Sequence, residues 1–220
     1  MPLSSVIGSS SIMQPGVCTS STRPASPYDG QVIYETDTDK IAVYDSSAWV
    51  YKTGASVPVA SGLVFISATT VGTTVSSVTV SNAFSSTYDN YKIVYTGGIS
   101  TGWTTLRLQI GASTTGYYYG RTTVSYAGSS SPAGGANQTE FIFIGTAAPN
   151  TNSANIDVQS PYLAKRTVVT AQDAAAVTTG EATFTSGFLN DDTQHTSFKL
   201  FVSGQTLTGG TIYLYGYAKA

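Results

Sequence analysis

The sequence predicts an all-β protein: a small N-terminal β-meander with an extended arm, followed by an antiparallel, jelly-roll-like β-sandwich. Ser and Thr supply 62 of the 220 residues and Gly another 22, and all three are poor residues for helix interiors. The 15 tyrosines favour pleated strands, as do Val, Ile and Phe. Charged residues make up only 10% of the chain, so we expect a surface of hydroxyls, amides and phenols, which suits a large assembly.

The N-terminal quarter predicts an arm, a small sheet and a linker. Residues 1–27 are rich in Ser, Pro and Gly and keep no hydrophobic period, which is typical of an extended arm. Residues 28–52 predict three five-residue strands joined by polar turns at 36–39 and 45–47. Because such a meander buries little core alone, we expect it to pack against a neighbour or an oligomer axis. Residues 53–62 are interpreted as the linker.

Residues 63–220 predict the sandwich. Apolar and polar residues alternate clearly in Leu106–Ile110, Phe198–Val202 and Ile212–Tyr215. Many short strands with glycine-rich turns, and no ten-residue amphipathic helix, indicate a sandwich or jelly roll. The predicted strands are Leu63–Ala68, Val75–Val80, Tyr91–Tyr95, Thr104–Ile110, Tyr117–Tyr126, Thr139–Ile144, Ala154–Gln159, Thr167–Thr170, Glu181–Leu189, Ser197–Val202 and Thr211–Tyr217.

Three segments between these strands have no clear strand pattern. Thr96–Gly102 and Ala127–Ala136 are rich in Gly and small residues, which predicts long loops of the kind that often carry recognition. Ala171–Ala176 is alanine-rich, but the Val and Thr beside it do not favour helix. A helix and a long loop both remain open for this segment.

The residue types that catalysis needs do not converge in the sequence. His195 is the single histidine, in the polar turn 191–196, and no Gly-x-Ser-x-Gly elbow accompanies it. Cys18 is the single cysteine and lies in the arm without a neighbouring base. We therefore predict that the chain is not an enzyme and has no catalytic, cofactor-binding or metal-ligating residues.

One acidic segment imitates the start of a calcium-binding loop. Glu35, Asp37 and Asp39 have the spacing of the first EF-hand ligands. However, Lys40 stands at the position that requires Gly, and Ser46 at the position that requires Glu. We interpret the segment as a hairpin turn.

The aromatic clusters are the candidate contact residues, because Tyr combines a large contact area with a polar tip. Two hypotheses remain open for them: they fill the core or a seam between subunits, or they form a receptor-binding patch. The candidate docking or oligomer contacts are Tyr34, Tyr44, Trp49 and Tyr51. The candidate receptor or intersubunit contacts are Trp103, Tyr117, Tyr118, Tyr119, Tyr213, Tyr215 and Tyr217.

Charge and hydropathy argue against two classes of partner. A net charge of -2 gives no electrostatic reason to bind nucleic acid or an anionic membrane. The first residues, 1–5, lack a basic region and an apolar run, and no stretch of about 18 apolar residues occurs. We therefore expect neither a signal peptide nor membrane insertion.

Residues 23–52, through the segments 23–40 and 43–50, resemble a short module that recurs in fibre and minor structural proteins of tailed bacteriophages. Its pattern is RP-x-x-P-x-x-G-x-x-I-Y-x-T-D-T, which residues 23–38 carry, followed by V-Y-x-G-x-x-W at residues 43–49. Asp45-Ser46 stands where many copies have a glycine turn. Segments 198–201 and 209–216 are similar to terminal strands of phage fibre and head-spike domains.

This resemblance implies a non-enzymatic virion protein, a tail or head fibre or spike subunit on the surface of the phage particle. It would dock by its N-terminal region and project the sandwich for host-surface contact. Such domains are commonly trimeric, so the expected partners are two further copies, other virion proteins, and a host-surface glycan or protein. Two alternatives remain: a capsid decoration protein that stabilises the head, and a carbohydrate-binding adhesin module.

Overall fold

The architecture is all-β. The computed structural model describes residues 15–51, 62–175 and 180–219, and every regular element among them is a strand. The chain divides into two compact units, one within residues 1–59 and one within residues 60–220. The predicted all-β fold with antiparallel sheets in a sandwich-like arrangement is confirmed, whereas a jelly-roll connectivity is not confirmed.

The N-terminal unit, called the module below, is one four-stranded sheet. Its strands, in sheet order, are β1 (Gly16–Cys18), β2 (Val32–Glu35), β3 (Lys40–Tyr44) and β4 (Trp49–Tyr51). β2, β3 and β4 form an antiparallel meander, and β1 pairs with β2 in parallel. The described part of the predicted arm thus contributes an edge strand. The predicted linker, apart from Gly62, lies outside the described residues.

A carboxylate stabilises the second turn of this meander. Ser46 has a φ of 73°, in the left-handed region that usually favours glycine. The Asp45 carboxylate accepts hydrogen bonds from the backbone amides of Ser47 and Ala48, at 3.2 and 2.9 Å. These bonds, the one to Ala48 foremost, hold the pKa of Asp45 below its usual value. An Asx-type turn therefore supports the left-handed conformation of Ser46 without a glycine.

The second unit, called the sandwich below, contains fourteen strands among its described residues. They are β5 (Leu63–Thr70), β6 (Ser77–Val80), β7 (Asn90–Thr96), β8 (Ile99–Ser100), β9 (Thr104–Ile110), β10 (Tyr117–Ser125), β11 (Ser130–Gln138), β12 (Phe141–Ala147), β13 (Asn152–Gln159), β14 (Thr167–Ala174), β15 (Glu181–Leu189), β16 (Phe198–Phe201), β17 (Leu207–Thr208) and β18 (Thr211–Tyr217).

Two antiparallel layers make up the sandwich. The larger has the order β11-β10-β15-β14-β13-β7-β18-β5, and the smaller has the order β12-β9-β16-β6. Pairing between β12 and the start of β13 links the two layers. β8 and β17 form a separate two-stranded ribbon.

The core lies between these layers, as strand alternation predicts. Leu106, Leu108 and Ile110 point inward from β9 and are fully buried. Tyr117 from the larger layer meets Phe141 from the smaller one edge-to-face, with ring centroids 4.9 Å apart. Pairs of this kind stabilise a core beyond the area that they bury.

Three segments differ from the sequence-based expectation. The predicted loop Thr96–Gly102 contains the short strand β8, which pairs with β17. The predicted loop Ala127–Ala136 is mostly strand, because β11 pairs along β10 at the edge of the sheet. The pairing uses backbone groups, and the exposed small side chains of β11 give no alternation to detect. Ala171–Ala174 is neither helix nor loop, because it continues β14 against β15. Tertiary pairing there overrides the helix propensity of alanine.

Candidate functional site

A buried ionic network holds one face of the module. Arg23, from the segment after β1, places its Nε 2.5 Å from the carboxylate of Glu35, which is fully buried. Tyr51 donates its hydroxyl to the same carboxylate at 2.9 Å and accepts a hydrogen bond from Arg23 at 2.8 Å. The Thr38 hydroxyl also donates to the Glu35 carboxylate, at 2.9 Å. The bond from Arg23 is the main cause that lowers the pKa of Glu35, which keeps this buried carboxylate ionised.

The four predicted docking residues do not share one face. Tyr44, Trp49 and Tyr51 lie on the face of Glu35, where the Tyr44 and Trp49 rings are 5.5 Å apart. Tyr34 lies on the opposite face, and its hydroxyl donates to Asp39. All four side chains are half-buried, and their role as docking contacts stays a prediction.

The opposite face of the module is apolar and open, and no sequence signal singled it out. Cross-strand register places Val17, Tyr34 and Ile41 in one row, and Val32, Val43 and Val50 in the next. Val17 is 70% exposed, Ile41 46% and Val50 37%. We call these six residues the open face of the module. The alternation of side chains with period two in β3 and β4 was the available sequence signal, but it does not show which face of the sheet is covered by other residues.

The three carboxylates of the imitated calcium loop do not converge. Glu35 points into the buried network, Asp37 accepts hydrogen bonds from Ser20, and Asp39 accepts one from Tyr34. Among the described residues, no group of three or more His, Cys, Asp or Glu side chains is placed to hold a metal ion. Within the same residues, no helix is long and apolar enough to cross a membrane.

His195 lies beside Ser113 and Asp191 in a cavity of about 450 Å³. The Ser113 hydroxyl donates to Asp191 at 2.5 Å, and His195 Nε2 is 3.8 Å from the same carboxylate. A catalytic triad requires the histidine between the serine and the carboxylate, whereas here the carboxylate lies between the other two. His195 is almost fully buried, and burial lowers its pKa more than Asp191 raises it. This order of contacts fits a cluster that stabilises the surrounding loops and differs from that of a catalytic triad.

The predicted contact aromatics fall into three groups. Tyr117 is fully buried in the core, which fits the first of the two hypotheses for the aromatic clusters; its hydroxyl donates to the backbone carbonyl oxygen of Ser113 at 2.9 Å. Tyr119 is half-buried and packs against the core. Trp103 is exposed, just before β9. The remaining four are Tyr118, Tyr213, Tyr215 and Tyr217, which lie on the side of the larger sheet that faces away from the core.

Cross-strand register assembles that side, called the outer face below, into three rows. The first row is Tyr118, Phe188, Val168, Gln159 and Asn90. The second row is Gly120, Ser186, Thr170, Asp157, Lys92, Tyr215 and Phe65. The third row is Thr122, Phe184, Gln172, Asn155, Val94, Tyr213 and Ala68. Polar residues therefore occupy the middle of the outer face, and aromatic residues lie towards both ends.

Two cavities open on the outer face and share Thr170. One, of about 370 Å³, is lined from this face by Thr122, Thr170, Gln172, Phe184 and Ser186. The other, of about 300 Å³, is lined from this face by Asn90, Asp157, Gln159, Thr170 and Tyr217.

A short polar network fixes the floor of the second cavity. Lys92 Nζ is 3.3 Å from both oxygens of Asp157, and the Tyr217 hydroxyl donates to the same carboxylate. Desolvation, together with that bond, raises the pKa of Tyr217 to about 12. The phenol therefore stays protonated at neutral pH. Sequence analysis found Tyr217 but missed Asp157 and Lys92, because only the β13–β7 register brings them together.

Comparison of the chain with protein-family models, with curated proteins and with solved structures gives no match. The features that point to a function are therefore the open face of the module, the outer face of the sandwich, and the sequence pattern of residues 23–52.

Proposed function

We propose that this protein is a non-enzymatic structural subunit of a bacteriophage particle, a tail or head fibre or spike. In this proposal the module attaches the subunit to the particle, and the sandwich makes contact with the host surface. The open face of the module carries the proposal. A single-layer sheet needs a partner for an apolar face, and Val17, Ile41 and Val50 expose theirs.

The geometry of the module favours assembly over ligand binding. Its other face is closed by the Arg23–Glu35–Tyr51 network. Its open face is built from valine, isoleucine and tyrosine, without a charged side chain in its six positions. Large apolar patches on soluble proteins mark protein–protein contacts. A second copy of the chain and another virion protein are the proposed occupants, and a homotrimer is the proposed form.

The Ser113–Asp191–His195 cluster supports the non-enzymatic part of the proposal. The Ser113 hydroxyl donates to the Asp191 carboxylate, and His195 lies on the far side of that carboxylate, so the imidazole is not placed to take the serine proton. The burial of His195 also keeps its imidazole away from bulk water.

Immunogold electron microscopy of particles from the phage that encodes the chain tests the proposal. Antibodies against the sandwich should label the particle surface, and size-exclusion chromatography with light scattering of the purified chain should give three times the chain mass of 22.9 kDa. Label confined to the tail or to isolated head spikes supports a fibre. Even label over the whole head supports the alternative, a decoration protein. Particles that lack the chain altogether contradict both.

A further inference from the structure

We propose that the outer face of the sandwich is a binding site for an uncharged oligosaccharide that lies across the strands. The inference rests on the proposed function, since it names the host-surface ligand that the sandwich would contact. The site is the pair of cavities that meet at Thr170, with Phe184 in one and Tyr217 in the other.

The lining of these cavities matches the chemistry of a sugar. Gln172 and Gln159 are exposed amides, and Thr122 and Ser186 are exposed hydroxyls, so the floor offers both donors and acceptors. Asp157 offers a strong acceptor whose position is fixed by two donors. Sugar hydroxyls both donate and accept hydrogen bonds, so a floor of amides, hydroxyls and one fixed carboxylate can bind them in many registers.

Aromatic side chains border this polar floor on both sides. Phe184 is 52% exposed, although it stands in the middle of a nine-residue strand. At the other end, Tyr217 lines the second cavity, and Tyr215 meets Phe65 edge-to-face at 5.8 Å. Rings that keep one face free present apolar area beside polar groups. The apolar faces of sugar rings fit such positions.

Charge on the outer face favours an uncharged ligand. The three rows contain two charged side chains, Asp157 and Lys92, and these neutralise each other at 3.3 Å. Beside the first row, the exposed Arg166 guanidinium lies over the Phe188 ring, 5.5 Å from its centroid. In the middle of the rows, an anionic polysaccharide would meet only the Lys92 ammonium that Asp157 already pairs, and a basic peptide would meet only the paired Asp157 carboxylate.

The spacing of the aromatic residues sets the size of the ligand. Phe184 lies on β15 and Tyr217 on β18, four strand spacings apart in the sheet order β15-β14-β13-β7-β18. Neighbouring strands are about 4.8 Å apart, so the two rings are separated by about 19 Å across the strands. This distance accommodates a chain of several sugar rings, and a monosaccharide would reach only one of the two aromatic residues.

Affinity electrophoresis of the full chain in gels that contain dextran, amylose, xylan or galactan tests the inference, with alginate as the anionic comparison. We expect at least one neutral polysaccharide to retard the chain and alginate not to do so. Phe184→Ala and Tyr217→Ala should each weaken that retardation by about tenfold in apparent Kd, because each removes one aromatic contact.

Trp103→Ala is the matched control, because Trp103 is exposed to the same degree as Phe184 and lies outside the outer face. Circular dichroism and melting curves check that the variants fold; Tyr217→Phe, which keeps the ring, should lose less binding than Tyr217→Ala. No retardation by any neutral polysaccharide, or equal retardation of the wild type and both alanine variants, overturns the inference.

Two further outcomes separate this inference from the proposed function. Particles that carry the chain while the chain binds no polysaccharide would leave the structural role intact and contradict only the sugar site. Self-association that Phe184→Ala or Tyr217→Ala abolishes would show that the outer face is an interface between copies, and would also contradict the site.

Discussion

At the scale of single residues, the buried carboxylate of Glu35 explains much of the sequence pattern in the module. A fully buried charge is tolerated only when it is paired and hydrogen-bonded. Arg23, Thr38 and Tyr51 supply those contacts from three separate segments. The Arg of the R-P dipeptide and the Thr that ends the T-D-T segment thus have a physical role. The sequence alone could not show it, because Arg23, Thr38 and Tyr51 come from separate segments and meet Glu35 only in the folded sheet.

Arg23→Met should destabilise the module, because it leaves the Glu35 carboxylate buried without its cation. We expect a lower urea midpoint for unfolding of the module. Trp49 fluorescence measures this midpoint when Trp103 is replaced by Phe, because Trp49 lies in the module and Trp103 lies in the sandwich.

Adding Glu35→Gln to Arg23→Met is the control. The double variant should recover part of the lost stability, because a neutral amide tolerates burial better than a lone carboxylate. A midpoint unchanged by Arg23→Met would contradict the role assigned to the pair.

His195 should make the stability of the sandwich depend on pH. Burial lowers its folded pKa below the usual value of 6.5, so the unfolded chain binds the proton more tightly. Stability should therefore fall as the pH drops below 6.5 towards the folded pKa. Asp191, whose pKa is lowered to about 2 mainly by its bond from Ser113, loses its contribution only below its ordinary pKa of 3.8.

Urea midpoints of wild type and His195→Gln at pH 7.5 and pH 5.0 measure this effect. The wild type should be less stable at pH 5.0, and the variant should lose most of that difference. A wild type that is equally stable or more stable at pH 5.0 would show that the imidazole is not desolvated in solution.

At the scale of elements, the last strand shows how one position can set the packing of a layer. In β18, Ile212 and Leu214 fill the core, and Gly216 takes the third inward position. A Cβ at Gly216 would lie 2.3 Å from the ring of Tyr88. The ring thus occupies the space that any other residue would need.

Gly216→Ala should destabilise the sandwich by about 1–3 kcal/mol, the usual effect of overpacking a core. Gly120→Ala is the control: it is also a strand glycine, but a Cβ there meets nothing within 4 Å. Chemical denaturation of both variants provides the comparison. Equal stability of the two variants would mean that Tyr88 moves freely out of the way.

Strands with alternating burial could be predicted, and those defined by backbone pairing could not. The alternation of Leu106, Leu108 and Ile110 indicated β9 directly, and β9 begins and ends where predicted. β11 has small exposed residues throughout, so only its hydrogen bonds to β10 define it. Only part of the outer-face site could be predicted, because strand pairing brings its residues together. Tyr217 was visible in the sequence, whereas Phe184 was assigned to a strand but not to a contact surface.

At the scale of the whole molecule, the two units differ in how they bury apolar surface. The sandwich has a continuous core between two layers. The described residues of the module form one layer, with a polar network on one face and the open face on the other. A division of roles follows: the sandwich should fold by itself, and the module should gain stability from a partner.

A chain that starts at residue 60 should therefore unfold cooperatively, with the same near-ultraviolet circular dichroism from its buried tyrosines as the sandwich within the full chain. Thermal melting followed at that wavelength is the measurement. A molten or aggregated product would show that the sandwich depends on the module.

If the open face of the module holds the subunit in its assembly, charges on that face should prevent incorporation into particles. The double variant Ile41→Asp and Val50→Asp places two carboxylates on that face, and Val124→Asp places one on an exposed apolar position of the sandwich. Quantitative immunoblots of purified particles compare the number of incorporated copies. We expect a loss of about tenfold or more for the double variant and near-normal incorporation for Val124→Asp. Normal incorporation of the folded double variant would contradict this role of the open face.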